Sequence, residues 1–386
     1  MSVQTTIIPH SQQRSLRLDG FITSASKAQK AWSKVPLKER IATGYNFIVL
    51  CLIHLVTRPV IRGFLDRANY MLSIAESALA DVSLTDTDKP GFRRYSKRAP
   101  LGVVLVVATL ESTYPYLVSI NAVLPAIIAG NAVILKPSPQ TPLTAERFAL
   151  ALTRAGTLFS FTGSVIGGRA VEEAAGVGLE LGGKDPAYVR PDADLNYTIG
   201  ELVDCCCAIE RIYVHEAGYV KLVKGYKLGD PTLPETNLGP VVSLASAERI
   251  RKQVSDAVKA DLFPMAKAGT TYVAPQVLVD VNHKSFGPTE AVKLMNDSPY
   301  GLTASVWTNA SANPASEEIF LKLCDELETG TVFLNRCDFL DPALAWTGVK
   351  DSGRGVSLSK FGYDQLTRAK SVHMKIRHHR ARIVYR

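Results

Sequence analysis

The sequence predicts an α/β chain, and three local patterns carry that prediction. Residues Gly102 to Val107 form a continuous apolar, β-branched run suited to a buried parallel strand. Ala132 to Leu135 is a second run of the same kind. Thr141-Pro142 then supplies an N-cap residue and a first-turn proline for a helix through about Ala155, which gives the strand, loop, helix order of an open α/β sheet. At 386 residues the chain is long enough for two or three domains with sizeable cores.

Ahead of the first strand, Leu65, Ala68, Leu72, Ala75 and Leu79 recur at steps of three and four, so residues 63 to 82 are expected to form an amphipathic helix with one buried face. Thr85-Asp86-Thr87-Asp88-Lys89-Pro90-Gly91 reads as a loop. The strand ending at Leu135 puts Lys136 at its carboxyl end, where open α/β sheets bind ligands. By position alone, a solvated surface lysine is the plainer reading. Phe161-Thr162-Gly163-Ser164-Val165-Ile166-Gly167-Gly168 leads into a helical stretch, Arg169 to Ala175. Small residues at a helix start leave backbone amides open to an anion such as a pyrophosphate. Gly182-Gly183 reads as the hinge into a second α/β domain running to about Lys360.

Hydrophobic content of 46% and charged content of 21% belong to a soluble globular chain and exclude disorder. Of the net charge of +8, Arg377, Arg380, Arg382 and Arg386 supply half, and no aromatic-interleaved basic stripe accompanies them. A solvated tail is expected, and no nucleic-acid partner. The apolar run Phe47 to Val56 is too short for a bilayer, which needs about 20 residues, so no membrane association is expected. Six cysteines without a disulfide framework fit a reducing compartment. The expected location is cytoplasmic. Arg14 and Arg17 ahead of the first acid, Asp19, keep a mitochondrial transit segment as the alternative.

Three of those cysteines are adjacent, Cys205-Cys206-Cys207, followed by Ala208-Ile209-Glu210-Arg211. Neighbouring thiols cannot pair with one another without severe strain, and they lack the spaced pairs of a zinc site, so nucleophilic chemistry is the sharper reading and no metal is expected. Upstream, Glu180-Leu181-Gly182-Gly183 places a carboxylate beside backbone that bends freely and admits a ligand closely. The bland alternatives are a small buried hydrophobe for Cys206 and a solvated carboxylate for Glu180.

The Glu-Leu-Gly-Gly box and the Cys-x-Ala-x-x-Arg box resemble those of the aldehyde dehydrogenase superfamily. Further segments match in family order: Pro100-Leu101-Gly102-Val103-Val104, Gly130-Asn131-Ala132-Val133-Ile134-Leu135-Lys136-Pro137-Ser138, Gln140-Thr141-Pro142, and Phe161 to Ser164 with Gly168. Gly239-Pro240, Phe286-Gly287-Pro288, Tyr300 to Trp307, Gly330 to Asn335 and Lys350-Asp351-Ser352-Gly353 complete the series.

The resemblance implies two doubly wound open-sheet domains, a Rossmann-like cofactor domain and a catalytic domain, with an oligomerisation hairpin. The expected boundaries are 1–182 for the cofactor domain with the hairpin near 90–100, 183–360 for the catalytic domain, and 361–386 for a C-terminal oligomerisation strand and basic tail. In the hairpin, Arg93 to Arg98 would pair with Ser371 to Ile376, and a homo-dimer or homo-tetramer follows by resemblance. Cys206 is implied as the nucleophile that attacks an aldehyde to give a thiohemiacetal and then a thioester. Glu180 is implied as the base that activates the hydrolytic water, a role that asks for partial burial. NAD or NADP is the implied cofactor, with Lys136 at the adenosine ribose and Gly163, Ser164, Gly168 and Phe286 in the cofactor site.

The chain also departs from the family. Thr113 occupies the position of the oxyanion asparagine, and a hydroxyl there reaches less far. Several residues are absent ahead of Cys205, and a Leu-Pro-x-Gly connection, a strand and a helix are absent between Gly156 and Thr157. Lys284 stands where the family has a ribose-binding glutamate, and the strand after Pro288 is missing. Pro139 at the usual acidic position leaves NAD against NADP open. A catalytically impaired member acting as a binding or oligomer-forming subunit is therefore the alternative to an active enzyme.

Overall fold

The computed structural model describes residues 18–52, 58–84, 91–107, 114–138, 141–156, 159–161, 178–180, 182–204, 209–214, 226–257, 269–274, 288–309 and 314–376. In chain order the elements begin with helices α1 (Leu18–Trp32), α2 (Leu37–Leu52) and α3 (Arg58–Ala78), then strands β1 (Val82–Ser83), β2 (Phe92–Pro100) and β3 (Val103–Val107). Next come α4 (Pro115–Ile128), β4 (Ala132–Lys136), α5 (Pro142–Arg154), β5 (Phe159–Phe161), β6 (Leu179–Glu180), β7 (Pro186–Val189), α6 (Leu195–Asp204) and β8 (Arg211–Val214). The remainder is α7 (Leu244–Ala257), α8 (Pro288–Asn296), β9 (Tyr300–Gly301), β10 (Thr303–Trp307), α9 (Ala315–Glu326), β11 (Thr331–Leu334), β12 (Val349–Lys350), β13 (Gly353–Arg354), α10 (Ser359–Gln365) and β14 (Thr367–Lys375).

The chain divides into two units, Met1–Leu179 with Leu340–Trp346 and Gly355–Arg386, and Glu180–Phe339 with Thr347–Arg354. The change falls at Glu180, just ahead of the expected hinge. Residues 340–346 and 355–360, expected in the catalytic domain, group with the first unit instead. The reason is local: Trp346 and Ser357 exchange backbone hydrogen bonds of 2.9 Å, and the buried Tyr363 that follows donates its hydroxyl to Met71 O on α3 at 2.8 Å.

In the first unit, β3, β4 and β5 form a parallel sheet in that order, with Val103 opposite Ala132 and Val133 opposite Phe159. Alternation along β4 sends Val133 and Leu135 into the large core built by α2 to α5, and Ala132 and Ile134 against Ala25 of α1. Both faces of β4 are thus covered, and every residue of it is buried. Among the described residues β3 lies at the edge of this sheet, and Leu105 is 50% exposed, so the expected strand forms but not as a fully buried one. The order of strands in a sheet is not written in a local apolar run. The helix expected over 63 to 82 starts earlier, at Arg58, and stops at Ala78, because the chain turns into β1. The helix expected over 169 to 175 and most of the loop after residue 84 lie outside the described residues.

The helices ahead of the sheet close the end of α4. Trp32 Nε1 donates to Ile127 O at 2.8 Å, Arg40 Nε to Ile128 O at 2.9 Å and Gln29 Nε2 to Gly130 O at 3.1 Å. These are carbonyls that a helix end leaves without intrahelical donors. In the part of the apolar run that lies on α2, Phe47, Ile48 and Cys51 are buried while Val49 is 62% exposed, and Phe47 meets Phe148 edge-to-face with ring centroids 4.9 Å apart. No helix among the described residues is long and apolar enough to cross a membrane. β2 pairs antiparallel with β14, Ser96 opposite Ser371 and Phe92 opposite Lys375, as expected of the hairpin, and Arg98 is ion-paired with Asp364.

In the second unit, β11, β10, β7 and β8 form a four-stranded sheet, parallel throughout. Tyr188, Ala304 and Val306 face α8 and α9, while Ala187, Val189 and Trp307 face the other way toward Leu202 of α6. Buried faces on both sides are what a parallel sheet requires. The chain enters α8 directly at Pro288.

Candidate active site

The second unit brings together the chain segments that carry Glu180 and the cysteines. Glu180 ends the two-residue strand β6, which pairs with β13, and is exposed rather than partly buried, because β6 stops there and the backbone turns through Gly182 at φ +100. A Cβ on Gly183 would come within 2.8 Å of Asp185 Oδ1 and 3.0 Å of Leu302 Cβ, so the second glycine of the box is required by close packing.

On the other side, α6 ends at Asp204 and the chain re-enters the sheet at Arg211. Cys205, Cys206 and Cys207, like Thr113, Gly163, Ser164, Gly168, Phe286 and Lys284, lie outside the described residues. Their flanks are held. Ile209 N reaches Leu202 O at 3.5 Å, and Cys337 Sγ donates to Glu201 O at 3.5 Å. Arg211 donates from Nε to Lys184 O at 3.0 Å, and from its two terminal nitrogens to Leu294 O at 3.1 Å and Met295 O at 2.9 Å. Asp185 N donates to Glu210 Oε2 at 2.8 Å. The arginine of the cysteine box therefore ties that box to the residue after Gly183 and also closes the end of α8.

Beside these bonds sits a polar cluster that the sequence motifs did not single out. Asp185 Oδ1 accepts from Thr303 N at 3.1 Å, and the Thr303 hydroxyl lies 3.0 Å from Asp185 Oδ2 and 3.1 Å from Asp338 Oδ1. Burial pushes the Asp185 carboxyl up to about 7, with the charge of Asp338 adding to it against the lowering effect of the Thr303 bonds. Desolvation also raises Glu210. An acid directly after Gly-Gly-Lys and before a strand proline was the only local signal, and its partners are far away in sequence.

The first unit holds the one described cofactor candidate, Lys136, at the carboxyl end of β4 as expected. It is 9% exposed, and burial holds its ammonium below the usual lysine range. Among the described residues its side chain has no hydrogen-bond or ion-pair partner. Next to it a small cavity is lined by Pro115, Ser119, Ser138, Thr141, Thr144 and Phe148. α4 and α5 both begin at this cavity, and neither Tyr114 nor Thr141 caps its helix with a side-chain hydrogen bond. A buried cation without a partner and two uncapped helix starts suit a phosphate- and ribose-bearing ligand such as a nicotinamide dinucleotide. No group of three metal-ligating side chains occurs among the described residues.

The sequence profile of the Aldehyde dehydrogenase family matches residues 56–157 and 157–372. The two matched stretches meet at Thr157. A succinate-semialdehyde dehydrogenase [NADP(+)] of Mycobacterium avium is 32% identical over 78% of this chain and 77% of its own length. A phenylacetaldehyde dehydrogenase of Pseudomonas fluorescens is 30% identical over 71% of this chain and 67% of its own. Among solved structures, an aldehyde dehydrogenase from Bacillus cereus superposes with TM-score 0.82 at 22% identity, covering 93% of this chain and 89% of that one. An NADP-dependent glyceraldehyde-3-phosphate dehydrogenase from Bacillus halodurans, complexed with NADP, gives 0.77 at 26% identity, covering 93% and 91%. The chain belongs to the aldehyde dehydrogenase family.

Proposed function

We propose that this chain oxidises a small-molecule aldehyde to a carboxylic acid with NAD or NADP, through a covalent intermediate on Cys206. The observation that carries the reading is the bonding of the cysteine box to the two residues that follow Gly183: Arg211 to the Lys184 carbonyl, and the Asp185 amide to Glu210. Those bonds hold the chain after the cysteines against the chain after Glu180.

The Cys206 thiolate adds to the aldehyde carbon and gives a thiohemiacetal, whose oxyanion the Thr113 hydroxyl faces in place of the family's asparagine. The cofactor supplies the hydride acceptor. Loss of hydride from the thiohemiacetal carbon leaves a thioester on Cys206. Glu180 takes a proton from water, the hydroxide attacks the thioester, and the carboxylate departs as the thiolate is restored. Lys136 would hold the cofactor's ribose and Gly163, Ser164 and Gly168 its phosphates, with Phe286 in the same site. β14, at the edge of its sheet among the described residues, is the strand through which copies would associate into a homo-dimer or homo-tetramer. The cytoplasm is the proposed compartment.

Thr113 in the asparagine position favours a second reading, an impaired member that binds or oligomerises without turning over. An assay of reduced cofactor formation over an aldehyde panel separates the two. Activity is expected in the native chain, none in Cys206→Ala, and a measurable fraction in Cys205→Ala and Cys207→Ala. Activity surviving in Cys206→Ala would reject the assignment.

A further inference from the structure

Cys337 is held at the end of the helix from which the three adjacent cysteines follow. The segment after β11 runs along α6 toward its carboxyl end: Tyr197 on the first turn donates its hydroxyl to Asn335 O at 3.2 Å, and Cys337 Sγ donates to Glu201 O at 3.5 Å. Glu201 belongs to the last turn of α6, whose carbonyls lack intrahelical donors and point the way the chain continues. Left-handed backbone at Asn335, φ +52, and Asp338, φ +42, turns the segment on either side of Cys337. Cys337 faces inward at 6% exposure, while Arg336 and Phe339 stay exposed.

Cys337 also shares one buried cluster with Leu202 and Ile209, the residues that flank 203–208, and Ile209 N meets Leu202 O at 3.5 Å. Cys205, Cys206 and Cys207 each stand within three residues of one of those two anchors. Covalent geometry alone therefore keeps each Cα within about 11 Å of an anchor, at about 3.6 Å per extended residue. A disulfide needs Cα atoms about 4.4 to 6.8 Å apart, a span inside that radius.

We propose that Cys337 is a resolving thiol for the cysteine segment, forming a reversible disulfide with it once a hydroperoxide has oxidised Cys206. With hydrogen peroxide, the Cys206 thiolate attacks one oxygen, the O–O bond breaks, and the departing hydroxide takes up a proton as water, leaving a sulfenic acid. The Cys337 sulfur then attacks the sulfenic sulfur, the S–O bond breaks, and the hydroxide leaves as water with the Cys337 proton. Two thiols are oxidised to one disulfide, and one peroxide is reduced to two waters. The disulfide takes the nucleophile out of use and keeps it from sulfinic acid, which thiols do not reverse. That Cys206 is oxidised first rests on the function proposed above; the pairing of Cys337 with one of the three rests on the contacts with α6.

The test treats the full native chain with hydrogen peroxide, blocks remaining thiols with N-ethylmaleimide and maps the digest by mass spectrometry with and without dithiothreitol. The expected product is a peptide containing Cys337 joined to the peptide that spans Cys205 to Cys207, and released by dithiothreitol. Cys337→Ser keeps a donor for Glu201 O; in it the cross-link is expected to vanish while Cys206 goes on to a sulfinic acid that dithiothreitol does not reverse. Recovery of Cys337 alkylated in the native digest, or joined to Cys51 or Cys324, would overturn the proposal. So would equal sulfinic acid formation in the native chain and in Cys337→Ser. Should that variant fail to fold, the native digest decides alone. The expected cross-link in a chain that oxidises no aldehyde would fault the proposed function and leave the pairing of Cys337 standing.

Discussion

Each unit has a buried polar residue just before a central parallel strand, and the two solve the same problem with different chemistry. In the first unit Asn131 precedes β4 and is 1% exposed. Its Oδ1 accepts from Gly102 N at 2.9 Å, and its Nδ2 donates to Ala126 O at 3.1 Å and Leu366 O at 3.0 Å. One neutral amide thus fastens the starts of β3 and β4, the end of α4 and the end of α10, with no titratable group involved. In the second unit Asp185 precedes β7; its carboxyl, which burial pushes up to about 7, fastens β10 through Thr303, and its backbone amide donates to Glu210 on the approach to β8. The first joint is indifferent to pH, and the second is sensitive to it. The pH-sensitive joint lies in the unit that carries the proposed chemistry.

The largest expected effect comes from converting one joint into the other. Asn131→Asp removes both donated bonds and sets a carboxylate against two carbonyls, at a cost of about 3 kcal/mol or more. Urea unfolding at pH 7 and pH 4 should show the loss, and show it shrinking at acid pH where the carboxyl can donate again. A loss below about 1 kcal/mol would mean that Asn131 is not the fastening point.

A smaller effect is expected at the paired arginines, Arg40 closing α4 in the first unit and Arg211 closing α8 in the second. Arg211→Met should cost about 2 kcal/mol, since charged donors to buried carbonyls contribute more than neutral ones. It should also lower cofactor reduction, because the same side chain bonds Lys184. Destabilisation without loss of activity would separate the arginine from the site. The smallest is Thr113→Asn, expected to raise kcat/KM less than about tenfold, or about 1.4 kcal/mol. The small gain is expected because residues that the family pattern carries ahead of Cys205 are absent from this sequence. A rise of about a hundredfold, the usual worth of one oxyanion donor, would show the cleft to be intact.

What the sequence disclosed was local. β4 and α5 were legible because a continuous apolar run and a Thr-Pro helix start are contiguous signals, and the pairing of β2 with β14 was expected from the family resemblance. The edge position of β3 was not, since neighbours in a sheet are set by the whole chain. Nor was the return of residues 340–346 and 355–360 to the first unit, which depends on the Trp346 to Ser357 pairing. Family boxes pointed to Glu180 and Lys136, whereas the Asp185, Thr303 and Asp338 cluster joins three distant segments through contacts that only the fold creates. Glu180 was expected to be partly buried and is exposed, because what a carboxylate faces depends on where its short strand ends.

The proposed chemistry is tested most directly by trapping its covalent intermediate. In Glu180→Gln, the base for hydrolysis is removed while thiol attack and hydride loss are spared, so one burst of reduced cofactor should precede slow turnover. Mixing that variant with NAD or NADP and an aldehyde, quenching in acid and fragmenting the peptide that spans Cys205 to Cys207 should locate an acyl group on Cys206. Acylation of Cys205 or Cys207 instead, or a burst of reduced cofactor with no acyl group on any of the three, would contradict it.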